Sequence, residues 1–251
     1  MPKVHCKNCT QSFEGNYCPN CGQSAEEHRI NFHYFIHDVP HSVFHIDGGF
    51  FYTLRMLFSK PGVMIRQYVE GQRVKHFRPF AYVMIMTAIS TLLVKVLEWA
   101  RIEIIRWDNP DFIPRESSNF FEHYFSIFVF IMIPFASVVT WLVFHKRPFN
   151  FWEHFLANTY ISAQLNVIWV LMHLVSFLGA LFTQGDYSVA GTVFLVCFMT
   201  SFLYMYGSVF GYLMKAYYKT WILICILTGM NLLLYFVYSI GFQLTGLWDL
   251  Y

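Results

Sequence analysis

Charge is what this sequence has least of. Of 251 residues, 13% are Asp, Glu, Lys or Arg, against 56% hydrophobic and 20% aromatic, whereas an average soluble domain carries roughly 25% charged residues. A water-facing surface needs charge to cover it and a bilayer does not, so the shortage excludes an ordinary soluble domain. The formal net charge of +2 provides no bulk positive field, and nucleic-acid binding by phosphate neutralisation is not expected. A Walker loop, a Gly-x-Ser-x-Gly elbow, a His-Glu-x-x-His helix and a Rossmann glycine pattern are all missing, so enzymatic chemistry has no positive support. The start Met1-Pro2-Lys3-Val4-His5-Cys6 has no apolar run behind it, and no cleavable signal peptide is expected. There is no internal repeat and no low-complexity tract.

What the chain does have falls into three zones. Residues 1–28 are polar and rich in cysteine, 29–78 mix histidine, phenylalanine and basic residues, and 79–251 are a series of long apolar segments. About 20 mostly apolar residues cross a bilayer as a helix. Five segments qualify, at about 79–98, 124–145, 157–182, 189–213 and 221–243. Pro134 inside the second is tolerated as a kink. The expected fold is an all-α integral membrane protein of about five transmembrane helices, preceded by interfacial helices and a small four-cysteine zinc ribbon or knuckle. Lys60, Arg66, Arg73, Lys75 and Arg78 precede the first span, Lys146 and Arg147 follow the second, and Lys215 and Lys219 follow the fourth. Lysine and arginine thus favour alternate sides, although the loop at about 99–123 keeps three arginines. The positive-inside rule then places the N-terminus in the cytosol and the C-terminus outside.

Four of the six cysteines lie in the first 21 residues. Cys6-Lys7-Asn8-Cys9 and Cys18-Pro19-Asn20-Cys21-Gly22 form two CxxC pairs with eight residues between them. Two residues between thiolates let one tight turn aim both sulfurs at one ion, and two such turns complete a four-sulfur tetrahedral shell. Two disulfides, a redox CxxC or an iron–sulfur site would use the same residues, but a cytosolic location keeps thiols reduced and a redox CxxC opens a helix of a larger domain. The reading is one structural Zn(II) per chain, held by Cys6, Cys9, Cys18 and Cys21, with a short hairpin in the connector from Thr10 to Tyr17. Four protein ligands leave no open position for catalysis.

His33, His37, His41 and His45 recur every four residues. On one helix they would form a stripe suited to a second metal, with Asp38 and Asp47 adding oxygens. Pro40 interrupts that ladder, and the interspersed aromatics equally suit a face near lipid headgroups. Further on, Pro61 fits the first position of a helix through Glu70 that stops at Gly71, with aromatic and basic residues arranged for the membrane interface or for packing beneath the bundle.

Inside the third predicted span, Asn158, Ser162, Asn166 and His173 fall within one narrow arc at 100° per residue. Intramembrane polar residues face a bundle interior, where they serve interhelical hydrogen bonding or line a path. Gly207 and Gly211 form a GxxxG that permits close helix approach, within the bundle or in a homodimer.

The paired CxxC motifs followed by Asp47-Gly48-Gly49-Phe50, Thr53-Leu54, Lys60-Pro61-Gly62, Arg66-Gln67-Tyr68-Val69-Glu70-Gly71-Gln72-Arg73 and Phe77-Arg78-Pro79-Phe80 resemble the DUF3667 family, membrane proteins common in Bacteroidota. Trp152-Glu153-His154 resembles a further family feature. The likeness covers most of residues 1–85 and is thinner beyond. It implies a bacterial inner-membrane protein and no assigned activity, with attention drawn to the block from Asp47 to Pro79. Three hypotheses follow. The first is a non-enzymatic membrane protein whose knuckle and interfacial block recruit a protein partner at the cytosolic face or assemble a complex, amid membrane lipids. The second is a transporter or lipid-handling protein using the polar face of the third span, with Asp47, Arg66, Arg73, Glu153 and His154 at its gate. The third is a membrane enzyme with a metal held by His37, His41 and Asp47. Arg66 and Arg73 are expected to clamp a lipid phosphate or a carboxylate such as Glu153. The knuckle is expected to be separable from the membrane core, since 24–28 offer no apolar face.

Overall fold

A computed structural model describes residues 3–26, 28–34, 49–108, 120–182 and 188–244. Asp38, Asp47, His37, His41 and His45 lie outside the described residues, and with them most of the histidine series. The elements in chain order are β1 (Val4–His5), β2 (Ser12–Phe13), α1 (Gly49–Ser59), α2 (Pro61–Val69), α3 (Pro79–Asp108), α4 (Phe120–Val143), α5 (Phe151–Phe182), α6 (Ser188–Met214) and α7 (Tyr217–Leu244).

Among the described residues, four helical stretches are long and apolar enough to cross a bilayer: Pro79–Ile104, Ser126–Val143, Phe151–Gly179 and Val196–Met214. The fifth predicted span, 221–243, falls on α7, whose side chains are described only to residue 230. The outer surface of these helices is itself apolar. Leu92, Val175 and Trp221 are each more than 60% exposed, at 64%, 65% and 63%. Helices that are hydrophobic all round, with a packed interior and an apolar exterior, are what a bilayer requires.

Helix α5 is the central column, packed against α3, α4 and α6. Leu156, Ala157, Tyr160, Ile161 and Ala163 along it are almost wholly buried. Helix α6 in turn packs on α2 and α7. Gly207 and Gly211 face α7: an added Cβ at Gly211 would sit 3.3 Å from the Tyr217 ring, and one at Gly207 would sit 4.0 Å from Ile224. The GxxxG is therefore used inside the chain.

The two short helices before the bundle are integral to it. Leu57 of α1 and Met64, Ile65 and Tyr68 of α2 are buried in the main core cluster, while Phe51 and Phe58 point outward. The apolar face of α2 thus packs on the bundle, and only the outward aromatics of α1 remain for lipid. As the sequence suggests, Pro61 starts α2. Gly71 ends it at φ 99°, with Gln72 N–H donating to the Gln67 carbonyl at 2.9 Å and Gly71 N–H to that of Tyr68 at 3.1 Å. That paired closure needs a left-handed residue, which glycine adopts without steric cost. The turn leading into α3 is held from both sides. Phe77 N–H donates to Thr53 Oγ1 at 2.7 Å, and the Phe77 carbonyl accepts from Tyr160 Oη at 2.5 Å.

Candidate metal centre and its mounting

The four sulfurs of Cys6, Cys9, Cys18 and Cys21 lie within 4.8 Å of one another. Cys6 and Cys21, and likewise Cys9 and Cys18, are 3.5 Å apart. This is far beyond a disulfide bond of about 2 Å and close to the edge of about 3.8 Å expected for four sulfurs about 2.3 Å from one ion. The cluster can therefore hold a metal ion.

Two equivalent turns build it. Cys6 N–H donates to the Gln11 carbonyl at 2.9 Å while Thr10 N–H donates to Cys6, and Cys18 N–H donates to Gln23 at 2.8 Å while Gly22 N–H donates to Cys18. The residue closing each turn takes a left-handed conformation, Thr10 at φ 62° and Gly22 at φ 75°. Around the first pair, backbone N–H groups of Asn8 and Cys9 approach the Cys6 sulfur and that of Gln11 approaches the Cys9 sulfur. In the thiol state burial pushes Cys6 up to about 11, whereas the Asn20 side chain holds Cys9 down to about 6. A bound cation supplies the compensation a buried Cys6 thiolate lacks.

The hairpin differs from the expected one. Ser12–Phe13 pairs back to Val4–His5 across the first CxxC, and Tyr17 bridges to Ser24, because closing the two metal-binding turns fixes which segments face each other.

The knuckle is docked, which replaces the expectation of a free module. Gln23 is 3% exposed. Its Nε2 donates to the Gly71 carbonyl at 2.8 Å, and its Oε1 accepts the Arg73 N–H at 3.4 Å. The αL turn ending α2 thus presents its backbone to the knuckle. Lys7 packs so close that a Cβ at Gly71 would meet its Cδ at 2.8 Å. The reason the separable reading fails is that docking uses one buried amide and backbone groups, and needs no apolar face on 24–28.

The segment that follows is pinned as well. Ile30 is fully buried in the main core, and its carbonyl accepts Asn150 Nδ2 at 2.9 Å. Arg29 donates Nε and Nη2 to the two oxygens of Glu153 at 2.8 and 3.0 Å, and Nη2 also to the Pro148 carbonyl. The Glu153 side chain is 4% exposed. It also accepts Asn150 N–H at 2.7 Å, while Asn150 Oδ1 accepts Glu153 N–H at 2.9 Å. This is a reciprocal capping box at the start of α5, and its negative charge suits that helix end.

Arg66 and Arg73 do not clamp the Glu153 carboxylate, which pairs with Arg29. Arg66 Nε donates to Glu70 at 2.7 Å, and its guanidinium lies 5.8 Å from the Tyr212 ring centroid. Arg73 lies over the Tyr34 and Tyr68 rings at 4.8 and 5.4 Å and donates to the His28 and Tyr68 carbonyls. Gly71 turns the chain between the two arginines, so they leave the helix face that spacing alone would give them. Glu153 is taken by Arg29. His154 is buried, stacked between Phe144 and Phe210 with neither ring nitrogen hydrogen-bonded, and does not share a site with Arg66 or Arg73. His76 is buried in edge contact with Tyr52 and Tyr68. Burial pushes its pKa down to about 4, Lys75 adds to the shift and a backbone interaction with Gln72 opposes it.

The polar arc of α5 joins helices. Asn158 donates to Thr140 Oγ1 of α4 at 3.0 Å and accepts from Tyr206 of α6 at 3.2 Å. Asn166 accepts from Ser90 of α3, whose hydroxyl also meets Ser126 of α4 at 2.5 Å. The Ser162 carbonyl accepts from Asn166, and His173 pairs with the Trp169 carbonyl of its own helix. Each interhelical bond contributes only about 0.6 kcal/mol, but together they set which helices meet. His33 lies among the described residues, apart from the cysteine cluster.

Sequence reasoning missed Gln23, Arg29, Ile30 and Asn150. For Asn150 a signal existed, the Asn-x-x-Glu spacing of a capping box. The others carry no local signature, since their partners are distant in the chain. No curated protein and no solved structure matches the chain. Residues 47–91 match the family model described as Protein of unknown function (DUF3667), a segment that includes α1, α2 and the Gly71–Arg73 turn to which the knuckle docks, so the resemblance to that family is borne out over this segment.

Proposed function

We propose that the cysteine cluster holds one structural Zn(II), and that the metal-held knuckle is a recruitment element mounted rigidly on the cytosolic end of a non-enzymatic, five-span bacterial inner-membrane protein. The observation that carries this reading is the Gln23 bridge. It ties the knuckle to the segment matched by the family model, while Tyr17, next to the ligand Cys18, is 69% exposed. An exposed aromatic on a small rigid support is the kind of anchor on which protein interfaces centre. Four sulfur donors with no open position suit structural rather than catalytic zinc. Phe51 and Phe58 would rest in the interface. A conducting path along α5 gains no support, since Asn158 and Asn166 are engaged with neighbouring helices.

A photo-crosslinking amino acid at position 17 tests the reading in cells. The expected result is a discrete protein adduct that disappears in the Cys6→Ser variant. No adduct, or the same adduct without an intact cysteine set, refutes recruitment by the knuckle. Orientation is checked by reporter fusions, with residue 1 and the loops at Lys146 and Lys215 expected in the cytosol and Tyr251 outside. A cytosolic C-terminus would mean that one of the five predicted spans does not cross the bilayer.

A further inference from the structure

Three cations converge on one crevice at the end of the bundle that carries the knuckle. Arg66 from α2, Arg147 from the α4–α5 loop and Lys215 from the α6–α7 turn line a cavity of about 330 Å³ together with Glu70, Phe149 and Met214. One carboxylate among three cations leaves an excess of two positive charges. Glu153 does not offset it, being paired with Arg29. Arg66 gives Glu70 only its Nε, and Tyr212 beneath the guanidinium steadies it. Among the described residues neither Arg147 nor Lys215 makes a side-chain hydrogen bond or ion pair.

The backbone is arranged to hold this convergence. Gly62 lets α2 approach α6 so closely that a Cβ there would lie 2.5 Å from the Ser208 carbonyl oxygen. Lys215 follows the last residue of α6 at φ 46°, a left-handed position where helix ends favour glycine. A strained non-glycine residue kept beside two arginines points to a function for its side chain. The crevice also sits where Ser126–Val143 and Val196–Met214 end, at the height where an apolar exterior gives way to water. Its inner wall is apolar, with Met214 buried and Phe149 half-buried.

We propose that this crevice binds a phosphate group, presented there by the headgroup of an anionic phospholipid. Arginine supplies a fork for phosphate oxygens and lysine a point charge. Basic pockets at helix ends on the cytoplasmic side suit such headgroups. The proposal is independent of zinc and of recruitment by the knuckle.

The test uses the full chain in phosphatidylcholine nanodiscs with or without phosphatidylglycerol. Native mass spectrometry counts retained lipid, and the thermal midpoint reports linkage. The expected result is one retained phosphatidylglycerol per chain and a raised midpoint. Each cation removed should weaken retention about fivefold, so Arg147→Ala with Lys215→Ala should weaken it about 25-fold. Lys146→Ala with Lys219→Ala, outside the crevice lining, should change nothing. Unchanged zinc content and circular dichroism show that the variants are folded. Competition by soluble glycerol 3-phosphate would support the phosphate chemistry and assign it to a free ligand, and no competition assigns it to the lipid. Equal retention of phosphatidylcholine and phosphatidylglycerol, or a crevice variant indistinguishable from the control pair, overturns the proposal.

Discussion

Replacing Gln23 by alanine should undock the knuckle without removing its metal. The amide makes one short bond, Nε2 to the Gly71 carbonyl at 2.8 Å, and one long bond from Arg73 N–H at 3.4 Å. A neutral hydrogen bond contributes about 1 kcal/mol net, and a buried group left without a partner costs about 1–3 kcal/mol. The 3.4 Å bond is weak, so the sum falls near 2 kcal/mol, or about thirtyfold in the ratio of docked to undocked knuckle. The assay is hydrogen exchange at the Arg73 amide, whose acceptor is Gln23, alongside zinc content. Exchange should rise about thirtyfold while zinc stays bound, because none of the four sulfurs is touched. The isosteric Gln23→Glu variant separates the amide from mere bulk. It keeps an acceptor for Arg73 but sets an oxygen against the Gly71 carbonyl, so it should behave like alanine. An Arg73 amide exchanging at the wild-type rate in both variants would refute the docking argument.

Purified protein should contain one zinc per chain, lost in Cys6→Ser or Cys21→Ser, and a Cys6–Cys21 disulfide in freshly isolated material would contradict this. Gly62→Ala forces α2 off α6 and should destabilise by about 1–3 kcal/mol as overpacking, read as a lowered thermal midpoint in detergent; an unchanged midpoint would mean the two helices do not meet there. His76 has a folded pKa of about 4, below its ordinary 6.5, so the unfolded chain binds its proton first as pH falls. Its stabilising effect is full above 6.5 and is lost as pH drops towards 4, by about 3 kcal/mol in all. His76→Phe should keep the contacts with Tyr52 and Tyr68 and flatten the stability curve over that window, and an unchanged slope would place His76 in water.

Composition and hydropathy alone determined that this is a bundle of long apolar helices, because a span must be long and nearly uncharged whatever it packs against. The paired CxxC spacing likewise determined the sulfur cluster, since each pair lies within one turn and the geometry is local. Pro61 and Gly71 as helix limits were legible for the same reason. Partner choice across the chain was not. Arg66 and Arg73 share a helical face in sequence, but Gly71 turns the chain between them, and Glu153 pairs with Arg29 instead. The polar arc of α5 was legible as an arc, yet only packing decided that Asn158 meets Thr140 and Tyr206. Gln23 carried no signal in the sequence because its partners, the Gly71 carbonyl that accepts from it and the Arg73 N–H that donates to it, are backbone groups. Every residue carries backbone groups, so no side-chain pattern marks which ones the fold leaves open to a distant amide, and only the tertiary structure could place the knuckle.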